Sequence, residues 1–232
     1  MSTHAKSEIS PLFLLFTALF VTCLLVANII AGKLIQVFGM ILPAAVIVFP
    51  ITYILGDVFT EVYGFGRARI VIWIGFGANL LMAGLFFLTI IMPYPDFWKD
   101  QTPYRLVLGT APRVVVASII AYMAGEFSNS FILSRLKIYT QGKMLWVRTI
   151  GSTLAGEGVD TALFIAIAFS GSFPLSVLGE LMLFQYLWKV GYEIVATPLT
   201  YCLVRWVKRK EGIDVFDYQA DYNPFRWGVQ HE

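Results

Sequence analysis

The sequence predicts an all-α fold: an integral membrane bundle of six transmembrane helices with both termini cytoplasmic. Three observations carry this reading. Hydrophobic residues make up 58% of the 232 and charged residues only 14%, against about 25% charged in an ordinary soluble domain. Uncharged stretches recur at about the 20 residues a helix needs to cross a bilayer. Lys and Arg gather in alternate loops. With a mean hydropathy of +0.72, two cysteines, and 36 aromatic residues as 19 Phe, 11 Tyr and 6 Trp, the composition excludes a disordered chain, a disulfide scaffold and a collagen-like repeat.

The elements follow in order. Ile9 to Gly32, Leu34 to Gly56 and Ile70 to Pro95 are each free of charge and read as spans one, two and three. The first is too long for a signal-peptide core of about 7 to 15 residues and is expected to stay uncleaved. The second half is less clean. Residues 114–134 are interrupted by Glu126, residues 149–170 by Glu157 and Asp160, and residues 175–204 by Glu180, Lys189 and Glu193. Each still reads as a span, because runs such as ALFIAIAF and LMLFQYLW leave no broad polar face. The domain organisation expected is a six-span unit, 1–210, followed by a short cytoplasmic tail, 211–232.

Orientation comes from the bases. One side holds Lys6, Arg67, Arg69, Arg135, Lys137, Lys143, Arg148, Arg205, Lys208, Arg209, Lys210 and Arg226; the other holds Lys33, Lys99, Arg105 and Arg113. The richer side is the cytoplasmic one by the positive-inside rule. The outer loop around PYPDFWKDQTPYRLVLGTAP is expected to lie along the interface, and the aromatic tail to touch the membrane surface without chemistry of its own.

Function is sought in the six charges within spans, since each costs about 2.5–3.5 kcal/mol at mid-membrane even on insertion scales. Thr153, Glu157, Asp160 and Phe164 recur at helical spacing on one face. Gln185, Lys189 and Glu193 share another face, and Tyr122, Glu126, Asn129 and Ser130 a third. Structural pairing of one base with five acids leaves most carboxylates unmatched, so the three faces are expected to meet around a site. Asn28, Lys33, Pro43, Pro50 and Asn79 interrupt the first half and mark either cavity-lining breaks or packing kinks. Cys23 and Cys202 read as packing residues.

No enzyme motif is present: there is no HExxH, no GxSxG on a strand and no Walker loop. His4 and His231 sit at the extreme ends. Catalysis, a metal and a cofactor are therefore not expected.

The stretch DVFTEVYGFGRAR, Asp57 to Arg69, is the most specific signal. With the upstream NIIAGKLI and the downstream WVRTIGSTLAGEGVDTALF, it resembles the queuosine precursor transporter family, also known by a vitamin-uptake-like label. The motif residues Asp57, Glu61, Tyr63, Gly64, Arg148, Ser152, Glu157, Asp160, Lys189 and Pro198 occur in order, and the likeness runs from about Asn28 to Pro198. It implies a multi-pass importer in the bacterial inner membrane for 7-cyano-7-deazaguanine (preQ0) and 7-aminomethyl-7-deazaguanine (preQ1), salvaged for queuosine in tRNA, with no direct contact with nucleic acid. The alternative is a vitamin-binding or other small-molecule-binding membrane subunit of an ATP-driven system. Partners expected are the 7-deazaguanine substrates, the lipid bilayer and a second copy in a homodimer.

Such a substrate presents a ring N1–H and an exocyclic amine that one carboxylate accepts as a pair, a role for Glu157 or Asp160. Its O6 needs a donor, supplied by Lys189, Gln185, Asn79 or Asn28, and its ring needs walls such as Phe164, Tyr186 or Trp188. Glu126, Arg148, Ser152 and Glu193 complete the candidate binding set. Asp57, Glu61, Tyr63 and Pro50 are expected to gate or to support, with the Asp57–Arg69 charges at the cytoplasmic boundary rather than on the ligand.

Overall fold

The structure is a computed structural model that describes residues 10–30, 33–37, 40–109, 112–171, 174–218, 220–223 and 225. His4, Lys6, Arg226, Trp227 and His231 lie outside the described residues, so the expectations placed on them find no counterpart here.

Helix α1, Pro11–Ile30, begins where Ser10 Oγ accepts the Phe13 amide at 3.1 Å and where Pro occupies the first helical position. It buries Phe13, Phe16, Phe20, Leu24 and Ala27 at three- and four-residue steps, while Leu14, Leu15 and Leu19 face outward. Next comes a departure from expectation. The stretch 34–56 is no continuous helix: strands β1, Leu34–Val37, and β2, Met40–Pro43, pair antiparallel with Leu34 opposite Pro43. A 3-10 turn, Ala44–Ile47, leads into α2, Phe49–Tyr63. The prolines set these limits. Pro43 inside a helix would delete one ladder bond and clash with the preceding turn, whereas Pro50 sits in the first turn of α2, where its missing N–H costs nothing. At 15 residues α2 is about 22 Å long.

Gly64, with φ +82°, separates α2 from α3, Phe65–Ile91. The aromatic outer loop carries a short exposed helix α4, Gln101–Leu108, tied to the end of α3 by Tyr104 to Thr89 (2.9 Å) and Gln101 to the Ile90 carbonyl (3.0 Å). Helices α5, Pro112–Tyr139, α6, Leu145–Phe169, and α7, Leu175–Glu211, complete the order. Helix α7 has 37 residues, about 55 Å, and so outruns the hydrocarbon thickness; its last turn is Lys208, Arg209 and Lys210.

Among the described residues four helices are long and apolar enough to cross a membrane: α1, α3, α5 from Val116, and α6. Leu15, Leu81, Phe87, Phe184 and Val195 project outward from the bundle, as helices facing lipid require. Inside, α2 is the hub, with twelve of its fifteen residues buried; Val58, Phe59 and Val62 pack with Phe13, Phe20, Val204 and Val207. Two glycines, Gly125 and Gly156, let helices α5 and α6 approach closely. A methyl on Gly125 would lie 2.7 Å from Asp160 Cβ, and one on Gly156 2.7 Å from Asn129 Cβ. Small residues at such a crossing let backbones touch, which is what places Glu126 beside Asp160.

The segment after α7 folds back onto the α2–α3 joint and the end of α5, with Asp217 only 7% exposed. The Val215 amide donates to the Val62 carbonyl at 3.2 Å, and Asp217 Oδ2 accepts from the Phe65 amide (3.0 Å) and Ser134 (2.7 Å). The Arg69 guanidinium donates to the carbonyls of Asp221 and Asn223, both at 2.8 Å. Gly64 is required here, because a side chain on it would meet Val215 at 2.7 Å.

Candidate functional site

Mid-bundle, α7 delivers Lys189 to two carboxylates of α6. Its ammonium lies 2.6 Å from Glu157 Oε2 and 2.5 Å from Asp160 Oδ2. The 157/160 spacing puts both acids on one face, as expected, and Lys189 stands opposite that face. The start of α2 supplies an aromatic wall. Phe49 lies 5.8 Å below the ammonium, stacks on Tyr53 at 6.1 Å, and Tyr53 reaches the Glu157 carboxyl. Tyr186 packs near Gly158 and donates to the Leu154 carbonyl at 3.0 Å. Gln185 lies one turn before Lys189 on α7, half-buried.

A second layer of acid lies beside this triad. Glu126 of α5 faces Glu157, Asp160 and Lys189, and its Oε2 approaches Gly56 of α2. Asp57 of α2 and Glu193 of α7 face one another, each 1% exposed. Asp57 was expected with Glu61, Arg67 and Arg69 among boundary charges that need not be buried; Asp57, Glu61 and Arg69 are all buried in the protein. Conversely, Glu180, counted among the intramembrane acids, is exposed near the start of α7.

A separate cluster forms around Glu61. Glu61, fully buried, receives a two-pronged contact from Arg148, Nη2 to Oε1 at 2.6 Å and Nε to Oε2 at 3.0 Å, and a third contact from Lys208 at 2.8 Å. Lys137, also buried, donates to the Glu61 and Val215 carbonyls and to Asp214 Oδ1, each at 2.5 Å. Arg148 additionally reaches Thr140 at 3.1 Å and the Lys143 carbonyl. Burial alone would push the Asp214 carboxyl up, but hydrogen bonds from Lys137 and Lys208 outweigh it and hold the group below its ordinary value.

The remaining sequence candidates are placed as follows. Asn28 donates to Asn79 Oδ1 at 2.7 Å and Asn79 to the Gly75 carbonyl at 3.1 Å, a clasp between α1 and α3. Ser152 is buried and donates to the Thr149 carbonyl at 3.0 Å. Pro50 opens α2, and the Tyr63 ring packs edge-on to Phe13 at 4.9 Å. So Glu157, Asp160, Lys189, Glu126 and Glu193 come together with Asp57, whereas Arg148 belongs with Glu61. The chemistry available mid-bundle is paired acceptance by carboxylates, donation by one ammonium, and an aromatic face.

A family model described as "Putative vitamin uptake transporter" matches residues 43–203. The chain is 25% identical over 186 residues, 80% of its length and 81% of the relative's, to a protein of Bacillus subtilis (strain 168) named "Probable queuosine precursor transporter". It is 27% identical over 150 residues, 63% of its length and 65% of the relative's, to the "Queuosine precursor transporter" of Escherichia coli (strain K12). No solved structure matches. The match spans α2, with Asp57 and Glu61, through α6 and α7, with Glu157, Asp160, Lys189 and Glu193, and the chain therefore belongs to this vitamin-uptake-like family, whose named relatives are queuosine precursor transporters.

Proposed function

We propose that this protein imports the queuosine precursors preQ0 and preQ1 across the bacterial inner membrane, binding them at the Lys189–Glu157–Asp160 triad. The observation that carries the reading is that triad: one buried cation held between two carboxylates, with Phe49 and Tyr53 beside it. In the empty protein Lys189 satisfies both acids. An entering 7-deazaguanine offers its N1–H and exocyclic amine to one carboxylate, which releases the ammonium toward the ring O6. Partners are exchanged, so no charge is stranded in low dielectric. The ring stacks on the aromatic wall, and Gln185 and Glu126 border the same space. The aminomethyl cation of preQ1 takes the carboxylate that remains.

In this reading the chain crosses six times: α1, α2 with its hairpin, α3, α5, α6 and α7. The N-terminus, the α2–α3 and α5–α6 joints, and the tail 211–232 are then cytoplasmic, in keeping with the basic residues at those places. The 1–210 unit carries transport, and no ATPase subunit is needed.

The test uses a bacterium unable to make preQ0 and lacking its own importer. Expression of this protein with external preQ0 or preQ1 is expected to restore queuosine in tRNA, and Glu157→Gln or Lys189→Met to abolish restoration while membrane abundance is kept. Absence of restoration by the wild-type protein overturns the proposal. Restoration dependent on a co-purifying ATPase would establish the ATP-driven alternative.

A further inference from the structure

The Lys189 triad leaves one buried group of acids without use. Asp57 of α2 and Glu193 of α7 face each other, 1% exposed each; the Asn129 amide of α5 is a polar neighbour of Asp57, and neither Glu193 carboxyl oxygen has a hydrogen-bond partner among the described residues. The neighbouring Asn129 Oδ1 from α5 is likewise without a partner. The charged groups facing this pair are acids: Glu126 from α5, Glu157 from α6, and Glu61 four residues further along α2. The nearby bases are engaged: Lys189 by Glu157 and Asp160, and Arg148 and Lys208 by Glu61. Two facing carboxyls in such a place cannot both carry charge without a counterion, and adjacent acids resolve this by holding a proton. A metal ion is a poorer occupant: among the described residues no three acids, histidines or cysteines converge on a point where one would sit.

We infer that Asp57 and Glu193 form a proton-binding site, one proton shared between them, and that its loading and release couple proton entry to substrate import. The inference rests on the transport reading above. The link is Lys189, which precedes Glu193 by four residues and so lies on the same face of α7. When substrate takes a carboxylate from Lys189, the released ammonium favours the ionised form of Glu193. One O–H bond breaks and the proton passes to water on the cytoplasmic side. After substrate leaves, Lys189 returns to Glu157 and Asp160, and the pair takes up one proton from outside. Each cycle moves one proton and one substrate inward, with no other bond made or broken.

Two measurements test this. In the substrate-free protein in lipid, infrared spectroscopy at neutral pH is expected to show a protonated-carboxyl C=O band that shifts in D57N, where Glu193 alone holds the proton, and loses that component in D57N/E193Q, near-isosteric changes whose folding is checked by size-exclusion profile. A wild-type protein with no such band overturns the site. In proteoliposomes with an internal pH dye, an acidic exterior is expected to drive accumulation of labelled preQ0 above its outside concentration, with lumen acidification that requires preQ0; D57N is expected to lose accumulation while still exchanging internal for external preQ0. Accumulation without proton movement, or one driven by sodium instead, overturns the coupling and leaves the transport reading standing. Failure of preQ0 to enter under any gradient overturns the transport reading and the coupling with it, while the infrared band still decides the site.

Discussion

Glu61→Gln isolates what a fully buried carboxylate does when several cations converge on it. The glutamine keeps the shape and volume but removes the charge that holds Arg148 at 2.6 and 3.0 Å and Lys208 at 2.8 Å. Lys137 keeps Asp214 and two carbonyls, so the main loss falls on Arg148, which is 1% exposed and would be left with Thr140 and the Lys143 carbonyl. Breaking a buried pair by removing one partner costs about 3–5 kcal/mol, and that is the expected destabilisation in SDS-driven unfolding from mixed micelles. Asp214→Asn serves as the internal comparison. It touches the same lysines, but Asp214 is 45% exposed, and an interaction so open to solvent contributes about 0–1 kcal/mol. Adding Arg148→Met to Glu61→Gln is expected to recover part of the loss, giving a coupling energy of about 0.5–3 kcal/mol. If Glu61→Gln unfolds within about 0.5 kcal/mol of wild type, as a surface substitution would, the cluster is not the structural centre described here.

Three further outcomes are expected. Gly125→Val or Gly156→Val forces side-chain carbon into backbone separated from a Cβ by 2.7 Å and is expected to cost at least the roughly 1–3 kcal/mol of overpacking, read as a lower melting temperature in detergent. Gly77→Ala, which meets nothing within 4 Å, is the control. Asn79→Leu removes the partner of Asn28 and is expected to cost about 0.6 to 1.7 kcal/mol, the range for interhelical hydrogen bonds in membranes, by the same unfolding assay. The Asp214 contacts predict a pH dependence of tail docking. A carboxyl held below its ordinary value contributes stability that is complete above the unfolded value, about 3.9, and is lost as pH falls through the lower folded one. Hydrogen exchange of residues 213–218 is therefore expected to be flat from pH 7 to about 4, after correction for intrinsic rates, and to accelerate below that; acceleration beginning near pH 6 would contradict the assignment.

Much of the bundle was legible because hydropathy and length suffice for α1 and α3, and because the 157/160 and 185/189/193 spacings fix faces regardless of tertiary context. The 34–56 stretch was misread for a physical reason: a run of apolar residues broken by prolines satisfies a membrane-span count and a hairpin followed by a short helix equally well. Pro43 and Pro50 end one element and begin another rather than kink a single one. The burial of Asp57 was not legible because charge density along the chain does not report which charges the bundle encloses. The docking of the tail was not legible because its partners, Val62, Phe65, Arg69, Ser134 and Lys137, lie 77 to 154 positions away, beyond the reach of any local pattern.

The folded-back residues 213–218 and 220–223 also set an order of events during biogenesis. Among the described residues they follow every helix, so α2, α3 and α5 are synthesised before the residues that complete their packed end. Until then Lys137 lacks Asp214 and the Val215 carbonyl, and the Phe65 amide and Ser134 lack Asp217. A chain stalled or cut after Glu211 leaves that end unfinished, with a buried lysine short of two of its acceptors.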